Sequence, residues 1–127
     1  MKRILFAFIV LFTFNAATAQ KAGWPEMKAF HGVMSTSFHS AEDNNLGPLK
    51  DSAQSLVNRA KAWQASPVPE GYKADMTKPI LEKLVKQCQE INKAVGKGKS
   101  DAELKEMITK AHDTFHEIME KCREEGH

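Results

Sequence analysis

The side chains in this 127-residue chain best equipped for chemistry are its histidines: His31 and His39 near the start, His112 and His116 near the end, and His127 at the terminus. His112 and His116 are four residues apart, so on a helix they point the same way from consecutive turns and both imidazoles can reach one metal ion. His39 and Glu42 are three apart and share a face in the same manner. Imidazole nitrogen suits Zn, Cu, Ni or Fe better than Ca or Mg. A nearby carboxylate, Glu42 or Glu120, would ligate the ion or orient a ring. There is no HExxH, no Gly-rich phosphate loop and no Ser/His/Asp set with an identifiable context, so no catalytic residue is assigned and the chain reads as a non-enzyme.

The elements that must position these groups are helices. Pro25 suits a first helical turn, and Met27, Phe30, Met34, Phe38 and Ala41 follow at spacings of three and four, which predicts a helix over 25–42. Asp43-Asn44-Asn45-Leu46-Gly47 breaks it. After Pro48, a second stripe through Leu49, Ala53, Leu56, Val57, Ala60 and Trp63 predicts a helix over 48–64. The stretch from Ser66 to Tyr72 contains Pro67 and Pro69 and reads as a strap. A third helix is expected to begin near Thr77 or Lys78, with Pro79 in its first turn, and to bury Ile80, Leu81, Leu84, Val85, Cys88, Ile91 and Val95 until Gly96-Lys97-Gly98 stops it. Ser100 and Glu103 form a capping box for the fourth, whose apolar face runs from Leu104 to Cys122. No segment alternates as a strand would. The expectation is an all-α, antiparallel up-down-up-down four-helix bundle.

In such a bundle the first and last helices are adjacent and antiparallel, which sets His31 level with residues 113–118. His31, His112 and His116 then form one candidate cluster. His39 with Glu42 forms an accessory pair near the height of residues 102–110. Glu42 cannot share a centre with His31, because eleven residues of helix separate them by about 16 Å. Met34 lies about one turn from His31 and is a candidate soft ligand, although a methionine stripe at helical spacing is first of all core filling. The same arithmetic places Cys88 and Cys122 roughly 20 Å apart in height, too far for an internal disulfide. Both are expected to be reduced and packed as small apolar groups.

Met1-Lys2-Arg3, the apolar run from Ile4 to Phe14 and the small residues Ala17-Thr18-Ala19 read as a secretion signal over 1–19, cut before Gln20 and leaving a domain over 20–127. The apolar run is about half the length a membrane helix needs. The expected location is periplasmic or secreted, without a membrane partner once the signal is gone. The full chain has 18 Lys and Arg against 16 Asp and Glu. Without Lys2 and Arg3 the numbers are equal, and such a chain has no field to hold nucleic acid.

Three local features resemble the periplasmic four-helix cytochromes, the cytochrome c prime family and its b-type relatives. Phe30-His31-Gly32-Val33-Met34 is similar to the family's aromatic-Arg-x-x-Met segment, with His31 where Arg is usual. Leu56, Ala60 and Trp63 followed by the Pro-rich strap resemble its second helix. His112-Asp113-Thr114-Phe115-His116 is similar in spacing to the CxxCH attachment motif. His116 matches the axial ligand, but the attachment cysteines would fall at His112 and Phe115, so thioether tethering is excluded.

The resemblance implies either a loosely held haem b, with His116 on one side of the iron and Met34 or His31 on the other, or reuse of the pocket. Reuse is the favoured expectation, because both replacements by His add nitrogen donors at one height. The leading expectation is therefore a periplasmic transition-metal-binding protein using His31, His112 and His116, with His39 and Glu42 as contributors. The alternatives are a non-covalent haem electron carrier, and a periplasmic adaptor or stress protein without a cofactor. A homodimer is a further partner that related bundles suggest.

Overall fold

The computed structural model of the chain describes residues 23–123; the expected signal segment and His127 lie outside the described residues. Four helices follow in order: α1 (Pro25–Glu42), α2 (Gly47–Ala65), α3 (Ala74–Gly96) and α4 (Asp101–Lys121). The described part is all-α, with one isolated bridge between Tyr72 and Arg123. None of these helices is long and apolar enough to cross a membrane.

The helix ends have recognisable chemical causes. α1 and α3 close with the same pair of reversed hydrogen bonds. At the end of α1, Asn44 N–H donates to Ala41 O at 2.8 Å and Asn45 N–H to Ser40 O at 2.8 Å. At the end of α3, Gly98 N–H donates to Val95 O and Lys99 N–H to Ala94 O, both at 3.1 Å. This closure needs one residue in the left-handed region, supplied by Asn44 (φ 63°) and Gly98 (φ 70°), the two residue types that tolerate it best. α4 starts at Ser100, whose Oγ accepts from Glu103 N–H at 3.1 Å.

α3 begins about a turn earlier than the position of Pro79 predicts, so that Pro79 lies inside the helix and not in its first turn. The strap is anchored to the end of α4, where Lys73 N–H donates to Cys122 O at 2.7 Å beside the Tyr72–Arg123 bridge, and helical geometry starts from that anchor. Pro79 leaves Asp75 O without its helical donor, and Asp75 is exposed, so water can serve that carbonyl at little cost.

α1 packs on α2 and α4, and α3 packs on the same two, giving a ring of four neighbours; across one diagonal, Trp63 of α2 meets Phe115 of α4 in the core. End contacts fix their directions. Trp24, just before α1, donates its indole N–H to Ser66 Oγ just after α2, at 2.8 Å. Asn92 late in α3 donates to Gln54 early in α2 at 2.9 Å, and Lys105 early in α4 donates to Asn44 just past α1 at 3.0 Å. With the Lys73–Cys122 anchor, these pairings run each helix antiparallel to its neighbours.

Aliphatic side chains such as Leu49, Leu56, Leu84, Ile91, Leu104 and Ile108 fill one end of the core. An aromatic group fills the other, where Trp63 lies 5.6 Å from Trp24, 5.5 Å from Phe30 and 5.8 Å from Phe115, centre to centre. Cys88 and Cys122 are free and buried, as expected, and burial pushes the Cys88 thiol up to about 12.

Candidate metal centre

All four described histidines lie on α1 and α4, and α2 and α3 have none. The backbones of α1 and α4 also approach each other less closely than those of the other adjacent pairs, with stacked aromatic rings between them. On α4 the rings of His112 and His116 meet edge to face, 4.5 Å between centres and 66° between planes. This is the consequence expected of a four-residue spacing on one helix.

Each helix supplies a buried phenylalanine that backs a histidine of the other. Phe38 of α1 lies face to face with His112 of α4, 3.8 Å between centres at 7°. Phe115 of α4 lies under His31 of α1, 5.1 Å between centres at 10°. Phe115 also meets His116 edge-on at 5.7 Å. The level arithmetic therefore holds: His31 sits at the height of Phe115, within the expected range.

Two histidines carry carboxylate partners. His39 Nδ1 lies 3.3 Å from Glu42 Oε1, and His116 Nδ1 lies 3.5 Å from Glu120 Oε2. These pairs are open to solvent, with 66% of the His39 side chain and 47% of the His116 side chain exposed, so each contributes little to stability. In each pair the carboxylate lies against Nδ1, the arrangement that can fix a ring's orientation.

His112 is the half-buried member, and its pKa is lowered from the ordinary imidazole range. Burial against Phe38 is the largest cause, and the neighbouring His116 adds to it. Asp113 opposes the shift, His39 reinforces it and Glu42 opposes it. Residues 39 and 42 thus lie close enough across the seam to act on the charge at 112. The result is an uncharged ring at neutral pH, whose lone pair need not shed a proton to bind an ion.

The structure brings together His112 with His116, and His39 with Glu42, while His31 is brought to Phe115. It does not pre-assemble the expected set of His31, His112 and His116. Among the described residues, no three His, Cys, Asp or Glu side chains gather closely enough to hold an ion as they stand. The physical reason is that each imidazole rests on a partner of its own: His31 on Phe115, His112 on Phe38, His39 on Glu42 and His116 on Glu120.

The two backing phenylalanines were not among the expected site residues, although the sequence carries a signal for them. Three of the four seam histidines directly follow a buried phenylalanine, in Phe30-His31, Phe38-His39 and Phe115-His116. One residue beyond a core position is about 100° further round a helix, which places it at the margin between core and solvent.

The residues present do not fit a haem between His116 and Met34. Met34 has no exposed surface, and Phe30, Trp63 and Phe115 stand in mutual contact at 5.5–5.8 Å in the adjoining core, leaving no slot for a porphyrin. His116 lies on the solvent side of Phe115. Nor is a seam histidine among the residues lining the groove of about 430 Å³ at the base of α2 and α3, which include Trp24, Ser66, Val68 and Leu81. Comparison of the chain with protein-family models, with curated proteins and with solved structures finds no match, so the likeness to four-helix cytochromes rests on the local motifs alone.

Proposed function

We propose that the chain is a transition-metal-binding protein, exported by its N-terminal signal, whose site is the α1/α4 seam. His112 and His116, whose rings lie 4.5 Å apart, anchor the ion together. The remaining donors come from α1, either His31 at the level of Phe115 or His39 with Glu42 nearer the helix end, brought to the ion by rotation of exposed side chains, a motion that costs little for groups so open to water. Glu120 holds the His116 ring in orientation.

The observation that carries this reading is the adjacent imidazole pair on α4, its half-buried member backed by Phe38 and its neighbour exposed, with further donors on the neighbouring helix. An ion held this way ties the first helix to the last, so loading stabilises the fold by linkage. The protein's work is to hold or pass on an ion such as Zn, Cu, Ni or Fe, and no reaction step is assigned to it.

Titration of the untagged chain with Zn(II) and Cu(II), alongside the double variant His112→Ala/His116→Ala, tests the proposal. The native chain is expected to bind with affinity at least about a hundredfold tighter than the variant, in line with loss of two ligands. Equal affinity in the two proteins overturns the assignment.

A further inference from the structure

The groove of about 430 Å³ at the base of α2 and α3 has no part in the metal-binding reading. Trp24 before α1, Val68 of the strap, and Pro79 and Leu81 of α3 give it apolar walls. Val68 is half-buried and Pro79 exposed, so apolar surface remains there for a ligand to cover. Fixed parts hold the groove in shape. The indole N–H of Trp24 donates to Ser66 Oγ at 2.8 Å, Ser66 donates in turn to Trp63 O at 2.6 Å, and the Trp24 ring lies 5.1 Å from that of Tyr72. Pro67 and Pro69 stiffen the strap, and the Lys73–Cys122 bond ties its far end to α4. A site built in advance loses little to ordering when a ligand arrives.

Two opposite charges stand at the rim. Lys78 and Glu82 are four residues apart on α3, both exposed and both lining the groove. Lys99 and Glu103, in the same order at the same spacing, form an ion pair at 3.8 Å. Lys78 and Glu82 do not, and neither has another ion-pair partner among the described residues. From the last turn of α2, Gln64 adds a neutral amide with both donor and acceptor.

We propose that this groove binds a small zwitterion with an apolar side chain, the chemistry of a free apolar or aromatic amino acid. Lys78 takes the carboxylate, Glu82 takes the ammonium, and the side chain lies on the apolar surface of Trp24, Val68, Pro79 and Leu81. The pairing of signs carries the choice of ligand. A simple amphiphilic anion would sit beside Glu82 and a hydrophobic amine beside Lys78, each meeting a like charge, whereas a zwitterion answers both. The volume falls in the lower part of the range of about 300–1,000 Å³ typical of small-molecule sites, which suits a compact ligand. No seam histidine lines the groove, so this site stands or falls independently of the metal site.

Titration of the ¹⁵N-labelled chain with L-phenylalanine, followed by ¹H–¹⁵N correlation spectra, is the test. The indole N–H of Trp24 and the amides of Val68 and Leu81 are expected to shift together and saturate. Lys78→Gln and Glu82→Gln, both at exposed positions, should each weaken binding about two- to fivefold, the effect of losing one exposed ion pair. 3-Phenylpropanoate, which lacks the ammonium, and phenethylamine, which lacks the carboxylate, should each bind more weakly than phenylalanine by a similar factor. Absence of a saturable shift at these three signals overturns the site. Either single-charge analogue binding as tightly as phenylalanine, or unchanged affinity in both variants, overturns the zwitterion as its ligand.

Discussion

The α1/α4 seam and the α2/α3 seam face opposite sides of the same ring of helices, and they are built from different materials. On the α2/α3 side, Leu56 of α2 and Leu84, Cys88 and Ile91 of α3 are buried in the core, with an amide bridge from Asn92 to Gln54 at the rim. That side has no histidine. Between α1 and α4 the contact surface is aromatic, with Phe38 and Phe115 each covered by an imidazole of the other helix. A seam needs only apolar area to hold a bundle together, as the α2/α3 side shows. The stacked, carboxylate-paired donors of the α1/α4 side are therefore beyond what packing requires, and that excess directs attention to a ligand.

The largest effect that sharpens this contrast is on the aliphatic side. Leu84→Ala removes a fully buried side chain and should cost about 2–5 kcal/mol in chemical denaturation. Zn(II) affinity of the folded protein should be unchanged; a parallel loss of affinity would mean that the two seams are not separable. A smaller effect is expected at the aromatic side. Phe38→Leu keeps an apolar residue but removes the face under His112, and should cost about 1 kcal/mol of stability. It should also weaken Zn(II) binding roughly tenfold, since a less well-oriented ring is a poorer ligand. Isothermal titration of native and variant chains checks both.

The smallest effect is on pH dependence. The folded chain holds a proton at His112 less tightly than the unfolded chain does. As pH falls below the ordinary imidazole value near 6.5, the unfolded chain takes up a proton that the folded one resists, and stability declines until the lowered folded value is passed. Denaturation midpoints measured from pH 8 to pH 5 should fall for the native chain, and less steeply for His112→Phe. Parallel curves would show that His112 does not contribute to that slope.

Much of this contrast is legible in the sequence, for identifiable reasons. α1 spans the residues its apolar spacing predicts, and Ser100 caps α4 as its pairing with Glu103 indicates, because both signals are local. The beginning of α3 is not legible, since it depends on the Lys73–Cys122 bond between residues far apart in the chain, which outweighs the ordinary preference of Pro79 for a first turn. The heights of His31 and His112 follow from antiparallel register, which spacing alone supplies. Their partners do not: whether His31 turns toward His112 or lies on Phe115 is decided by side-chain rotation, and no spacing rule encodes it. The three Phe-His dipeptides carry the nearest available signal.

The most direct test is ¹⁵N NMR of the imidazole nitrogens during addition of Zn(II) to the untagged chain. One ring nitrogen each of His112 and His116 should move together and saturate at the same ratio of metal to protein, with at least one of His31 and His39 following. Unmoved rings at 112 and 116, or a response confined to the terminal His127, would contradict a shared site on the α1/α4 seam.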